Sequence, residues 1–284
     1  MIRMDSPGGT LQRRYWSFSK LNQYLRCPLQ FYFQRILKLP QPTIGSGLVY
    51  GSAVHNGLAY IHQQMMNSME VDLKILKKEF CDTWGDYEQT KICYKANESK
   101  EVLIEKGLST LQLYLSSPVR SKIVGVEQSV VVPLMNSQGE YIESPMMAII
   151  DLVTSTDGRM TIHEFKTSAR QYSQLEVELS MQATTYANAV NETYQQNPAI
   201  EFVVFTKTKT PKVQRIQTAR NQSDLQQLGD LVEKVEQAVD DNCFYPNRSP
   251  MNCSWCPYRE PCKKWKVPTS SLVTLNGVGQ CSSN

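Results

Sequence analysis

The sequence predicts an α/β fold with a mixed central sheet flanked by helices. Three observations carry that expectation. Helical periodicity dominates to about residue 116; three short β-rich runs follow, GVEQSVVVPLM, MMAIIDLVT and MTIHEFKTS; and a helical run, VELSMQATTYANAVNETY, then separates them from the strand EFVVFTKT and a second run, KVQRIQTA. Helices before, between and after short strands describe a mixed core with a helical insertion, and no internal repeat competes with it.

Taken in order, residues 1–16 read as a flexible arm, with Pro7, Gly8 and Gly9 as breakers. Ser17 or Ser19 is placed to cap a helix beginning SKLNQYL, and Pro28 interrupts it and restarts it as a first-turn proline. PQPTIGSGLVYGS reads as a turn-rich connector, and AVHNGLAYIHQQMM as a helix with His55 in its first turn. Helical patterns at about 71–84 and 101–116 form an insertion spanning about 65–118. SDLQQLGDLVEKVEQAVDD has leucines and valines at helical spacing, with Ser223 as a candidate cap. Residues 17–266 then make one domain, and 267–284 a flexible tail.

Composition narrows the function classes. The chain has 284 residues, enough to bury a core without disulfide staples. No run approaches 18 apolar residues and the start is polar, so a membrane span and a signal peptide are not expected and a cytoplasmic location is. The net charge is only +3, but the basic residues cluster: Arg26, Arg35 and Lys38 lie near the start, Lys207, Lys209, Lys212 and Arg215 in one acid-free stretch, and Arg259, Lys263 and Lys264 near the end. Such patches on a near-neutral chain suit a phosphate backbone, although solvated faces look the same in sequence.

Two groups of residues carry chemistry. Asp151 closes the apolar run of MMAIIDLV; Glu164 and Lys166 lie in the next β-rich run; Asp157-Gly158 between them is a strong hairpin signal. A hairpin returns Asp151 to the neighbourhood of Glu164, and strand alternation puts Glu164 and Lys166 on one face with Phe165 on the other. Two carboxylates hold a hard cation, Mg2+ or Mn2+, and a lysine beside them steadies charge developing on a phosphate. An exposed ion pair on a hairpin would leave the same letters. The second group is CSWCPYREPC, in which Cys253, Cys256 and Cys262 are three thiolates in search of a fourth. Cys27, at a helix interruption, and the nearby Cys243 are candidates; Cys81 and Cys93 fall in the helical insertion and Cys281 in the tail. Four thiolates serve zinc or an iron–sulfur cluster equally.

These motifs, in this order, resemble the PD-(D/E)xK nuclease superfamily, whose core is restriction-endonuclease-like. Asp151 with Glu164-Phe165-Lys166 resembles its metal-binding and catalytic set. SFSKLNQYLRCPLQFYFQRIL, GSAVHNGL and the Q-x-x-x-Y of SMQATTYA resemble the RecB-like branch, and CSWCPYREPC resembles the C-terminal iron–sulfur cysteines of AddB-type and CRISPR-adaptation exonucleases. The resemblance implies that His55, Asp151, Glu164 and the Phe165 carbonyl ligate Mg2+ or Mn2+, that Lys166 is the catalytic lysine, and that Gln182 and Tyr186 position it or the DNA strand. It implies a structural [4Fe-4S] cluster on Cys27, Cys253, Cys256 and Cys262, and matches Glu127 to an acid often found on the first strand. Ala148 stands where the family often has glycine, and Ile149 where it often has a basic residue. The function implied is a metal-dependent DNA exonuclease acting on single-stranded ends, alone or with helicase or CRISPR-adaptation partners. The alternative is a non-catalytic DNA-binding or assembly subunit on the same fold. No G-x-x-x-x-G-K-[ST] helicase signature occurs in the chain.

Overall fold

The computed structural model describes residues 15–208 and 211–266. Residues 1–14 and 267–284, with Cys281 and most of the expected arm and tail, lie outside them, as does Lys209. None of the described helices is long and apolar enough to cross a membrane.

The chain enters through a short strand, β1 (Trp16–Ser17), and helix α1 (Phe18–Arg26). Trp16 is only 1% exposed, so the part of the expected arm at residue 16 belongs to the sheet instead. Ser17 caps α1, its Oγ accepting from the Lys20 N–H. Cys27, in extended backbone, ends α1 and precedes α2 (Pro28–Phe31); Pro28 occupies the first helical position, where its missing N–H costs nothing. A π-helical turn, Tyr32–Ile36, completes this hairpin of helices.

Next come β2 (Thr43–Gly45) and α3 (Ser46–Met66). The stretch that reads as a connector is helical from Ser46 onward, so His55 sits mid-helix and not in a first turn. Buried Val49, Tyr50, Ala53 and Val54 explain the override: packing outweighs the glycines between them. The insertion holds α4 (Leu73–Asp82), β3 (Lys91–Cys93) and α5 (Lys100–Ser116). It is not purely helical, because β3 pairs in parallel with β2 and takes Cys93 into that ribbon.

The main sheet follows. β4 (Lys122–Val132) and β5 (Met146–Thr156) pair antiparallel, and β6 (Arg159–Ser168) returns antiparallel to β5 through Asp157-Gly158. Both turn residues have positive φ, 50° and 79°, as the two-residue hairpin requires. Helices α6 (Gln174–Glu178) and α7 (Met181–Tyr194) cross to β7 (Ala199–Thr206), parallel to β6, and β8 (Val213–Thr218) turns back against it. Helix α8 (Gln222–Asp240) is capped by Asn221 in a reciprocal box with Asp224, not by Ser223. Two short helices, α9 (Pro250–Cys253) and α10 (Arg259–Lys264), close the described chain.

Helices cover both sheet faces. Ile162, Phe202 and Val204 face a core shared with α1, α7 and α8; Phe165, Val203 and Phe205 face a second core beneath α3, α4 and α5. The feature that positions the site is a fork. On one edge β5 pairs with β4 from Met146 to Ser155; on the other it pairs with β1 only at Met146 and Met147 and with β6 only from Leu152 onward. Beyond the Leu152–His163 pair β6 leaves β5, and Asp151 lies in the opening.

Candidate metal centre and cysteine clasp

The fork leaves the Phe165 N–H without a strand partner on β5. Asp151 supplies one: its Oδ2 accepts from Phe165 N at 2.9 Å. Its Oδ1 faces Nδ1 of His55, on α3, at 3.2 Å. Glu127 reaches the same place from β4, at a residue with φ of 46°, between the paired residues Val126 and Gln128. Ligand atoms of His55, Glu127 and Asp151 all lie within 4.8 Å of one another. Glu127, which the resemblance matches to an acid on the first strand, therefore joins the group from a residue of left-handed backbone.

Glu164 and Lys166 share one face of β6 and form an ion pair, while Phe165 packs into the opposite core. Glu164 is 0% exposed, and the Lys166 ammonium is the donor that faces its Oε1. Lys166 Nζ donates to Gln182 Oε1 at 2.6 Å, and Gln182 Nε2 donates to the Tyr186 hydroxyl at 2.8 Å. Gln182 and Tyr186 thus share one face of α7 toward the lysine, as their four-residue spacing predicts.

The electrostatics match an acid-rich pocket short of positive charge. Burial raises the Glu164 carboxyl well above the usual range, and Asp151 adds to it against the pull of Lys166. Partial enclosure of Glu127, with the charge on Asp151, pushes its carboxyl up to about 7 although its side chain is exposed at the rim. Burial alone would discharge His55, but Asp151 outweighs it and holds the imidazole up at about 9. Burial also opposes charge on Lys166, and Glu164 overrides it, so the ammonium persists. Burial, then Glu164 and Asp151, raise the Tyr186 hydroxyl and keep it neutral. The residues fit a hard cation: the converging oxygen and nitrogen donors of His55, Glu127 and Asp151 lie beside the fully buried carboxylate of Glu164.

The second group assembles at the other end of the sequence. Cys27, Cys253, Cys256 and Cys262 line one pocket of about 370 Å³ with Arg248, Arg259 and Lys263. Burial raises the Cys256 thiol, and the other three sulfurs raise it further. Among the described residues no three of these sulfurs lie within 4.8 Å of one another. Cys243 is exposed and stands apart from the pocket; its main-chain carbonyl accepts from the Tyr24 hydroxyl at 2.8 Å. Cys81 and Cys93 do not line it either. Direct hydrogen bonds tie the two segments that carry these cysteines: Asn247 and Asn252 each donate to the Arg26 carbonyl, at 3.0 and 2.9 Å, and the Tyr258 hydroxyl donates to the Leu39 carbonyl at 3.1 Å.

Another polar group escaped sequence reasoning. His163, buried on β6, bridges Thr154 Oγ1 at 2.8 Å and Glu201 Oε2 at 3.0 Å, and Arg215 completes the network from β8. No local signal marks it, because its partners come from three other strands.

Comparisons with known proteins bear on family and fold. The family model described as the PD-(D/E)XK nuclease superfamily matches residues 15–263. The crystal structure of a "Putative exonuclease" from Eubacterium rectale is similar in fold, with a TM-score of 0.53 and 12% identity over 89% of each chain. No curated protein matches the chain.

Proposed function

The chain belongs to the PD-(D/E)XK nuclease superfamily, and from that membership we propose that it is a metal-dependent DNA exonuclease acting on single-stranded ends. One observation carries the reading: at the strand fork, a fully buried Glu164 is packed beside Asp151 and His55 and ion-paired to Lys166. A scaffold gains nothing from such an arrangement, which argues against the non-catalytic alternative.

His55, Asp151 and Glu164 would hold Mg2+ or Mn2+, with Glu127 and the Phe165 carbonyl as further ligands. When bound, the cation stabilises negative charge on the phosphate and activates water. The chain's own groups do the rest. Asp151 is oriented by the Phe165 N–H and His55 by Asp151. Lys166 keeps its proton and presents it to the charge developing on the phosphate, aimed by Gln182, which Tyr186 in turn fixes. Preference for single-stranded ends is supported by the resemblance to the RecB-like branch and by the basic segments. Helicase or CRISPR-adaptation partners rest on that same resemblance.

A [4Fe-4S] cluster on Cys27, Cys253, Cys256 and Cys262 is supported by the resemblance of CSWCPYREPC to iron–sulfur exonucleases and by the shared pocket of the four cysteines. Its role here is structural, locking α2 to the segment carrying α9 and α10.

The test is digestion of end-labelled single- and double-stranded DNA, with free and blocked ends, in Mg2+ and in Mn2+. Metal-dependent loss of label from free single-stranded ends is expected. Absence of cleavage on every substrate with either metal sinks the reading.

A further inference from the structure

Gly47, Gly51 and His55 recur every four residues along α3 and so share a face. At one end of this line His55 meets Asp151. In the middle, a methyl group on Gly51 would touch only Thr167 Oγ1, at 3.6 Å; at the far end, a methyl on Gly47 would touch only Lys207 Nζ, at 4.0 Å. Both are ordinary contacts. Gly57 and Gly107 differ: a methyl there would come within 2.5 Å of Leu111 and 2.1 Å of Phe80, so helix packing demands those glycines. Packing makes no such demand at 47 or 51, although mid-helix glycine weakens a helix relative to alanine. They leave a strip of bare main chain from His55 toward Lys207, the surface that lets another backbone approach closely.

Lys207 follows β7 directly, and its N–H donates to Ser168 O at 2.7 Å, two residues beyond Lys166. Its ammonium lies 4.4 Å from the centre of the Tyr50 ring. No carboxylate among the described residues forms an ion pair with it. Glu98, the acid that acts on it, is engaged by Ser46 Oγ at 2.7 Å and by the Lys95 N–H at 3.3 Å. Burial, then Lys95, lowers the Lys207 pKa to about 8. A half-buried ammonium of this kind is stabilised by an anion from outside the protein.

We propose that Lys207 binds a phosphate of the substrate strand flanking the one that is cut, with the strand lying along the glycine strip of α3. Gly47 and His55 are eight residues apart, or about 12 Å along the helix axis. That separation places Lys207 beyond the scissile phosphate. The assignment rests on the nuclease reading above, and the experiment separates the two.

A labelled single-stranded oligonucleotide is titrated with wild type, Lys207→Gln and Lys207→Arg over a salt series, with Ca2+ replacing the catalytic cation. The series is repeated with one neutral methylphosphonate moved along the strand. Lys207→Gln should weaken Kd about tenfold and flatten the log–log salt slope by about 0.7, the value of one single-strand phosphate contact. Lys207→Arg should stay near wild type. A methylphosphonate at one flanking position should weaken wild type about tenfold and leave Lys207→Gln unaffected. A wild type that cuts DNA while Lys207→Gln keeps its affinity and slope overturns the Lys207 assignment alone. A wild type that neither binds nor cuts overturns both readings. Should Lys207→Gln not fold, the wild-type scan decides, and a scan with no sensitive flanking position overturns the assignment.

Discussion

The strand fork and the cysteine clasp are made of different materials. The fork stands on the six-stranded sheet, between two apolar cores that fill both faces. Its polar groups are held against their preference: Glu164 is fully buried with the charge of Asp151 acting against its own, and Glu127 sits in left-handed backbone. The clasp has little apolar support, with only Leu29, Phe33 and Tyr258 fully buried in its cluster. It is closed by asparagine and tyrosine side chains on main-chain carbonyls, and its α9 and α10 are four and six residues long. Helices that short do not stand alone. The fork should therefore keep its shape when its charges are removed, whereas the clasp should depend on what its thiols bind.

The largest expected effect tests the first half of that contrast. Lys166→Ala and Asp151→Ala should each lower the cleavage rate by about a thousandfold or more. Secondary structure and clasp cofactor content should be unchanged by circular dichroism and metal analysis. Asp151→Ala also leaves the Phe165 N–H without its acceptor, at a stability cost of about 1–3 kcal/mol. Wild-type cleavage rates in both variants would remove the fork from the catalytic account.

Cys253→Ser tests the second half. It should bleach the brown absorbance, reduce iron and sulfide content and lower solubility. It should also lower Tm by roughly 5–10 °C, equivalent to about 2–3 kcal/mol, while the soluble fraction still cuts DNA. A colourless wild type carrying stoichiometric zinc would refute the cluster.

The same contrast explains what could be read from the sequence. The hairpin at Asp157-Gly158 and the shared face of Glu164 and Lys166 follow from local rules, since turn chemistry and strand alternation act within a few residues. The fork itself does not. It exists because Trp16 pairs with Met146 on the edge that β6 vacates, and nothing local announces a partner so distant. Gly45, Gly47 and Gly51 read as a loop and put His55 near a helix start; only tertiary burial of Tyr50 and Val54 makes that stretch helical. In the clasp, the C-x2-C-x5-C spacing was legible, but the residues alone left the fourth cysteine open between Cys27 and Cys243. The structure puts Cys27 at the pocket and leaves Cys243 outside it.

A smaller effect is expected within the fork. Gln182→Leu removes the acceptor of Lys166 and the donor to Tyr186 together. The lysine keeps its charge through Glu164 but loses its aim, so kcat should fall about tenfold with KM and Tm unchanged. A change in KM alone would make Gln182 a strand contact and not a positioning residue.

The smallest effect should lie in the clasp and should be non-additive. Asn247 and Asn252 both donate to the Arg26 carbonyl, which ends α1 and has no helical partner to accept from. Either asparagine can satisfy it alone, so Asn247→Ala and Asn252→Ala should each cost only about 0.5–1 kcal/mol. Together they orphan the carbonyl, and the double variant should cost more than the sum, measured as a coupling energy in a denaturant double-mutant cycle. Simple additivity would mean that water already serves this carbonyl and that the asparagines do not close the clasp.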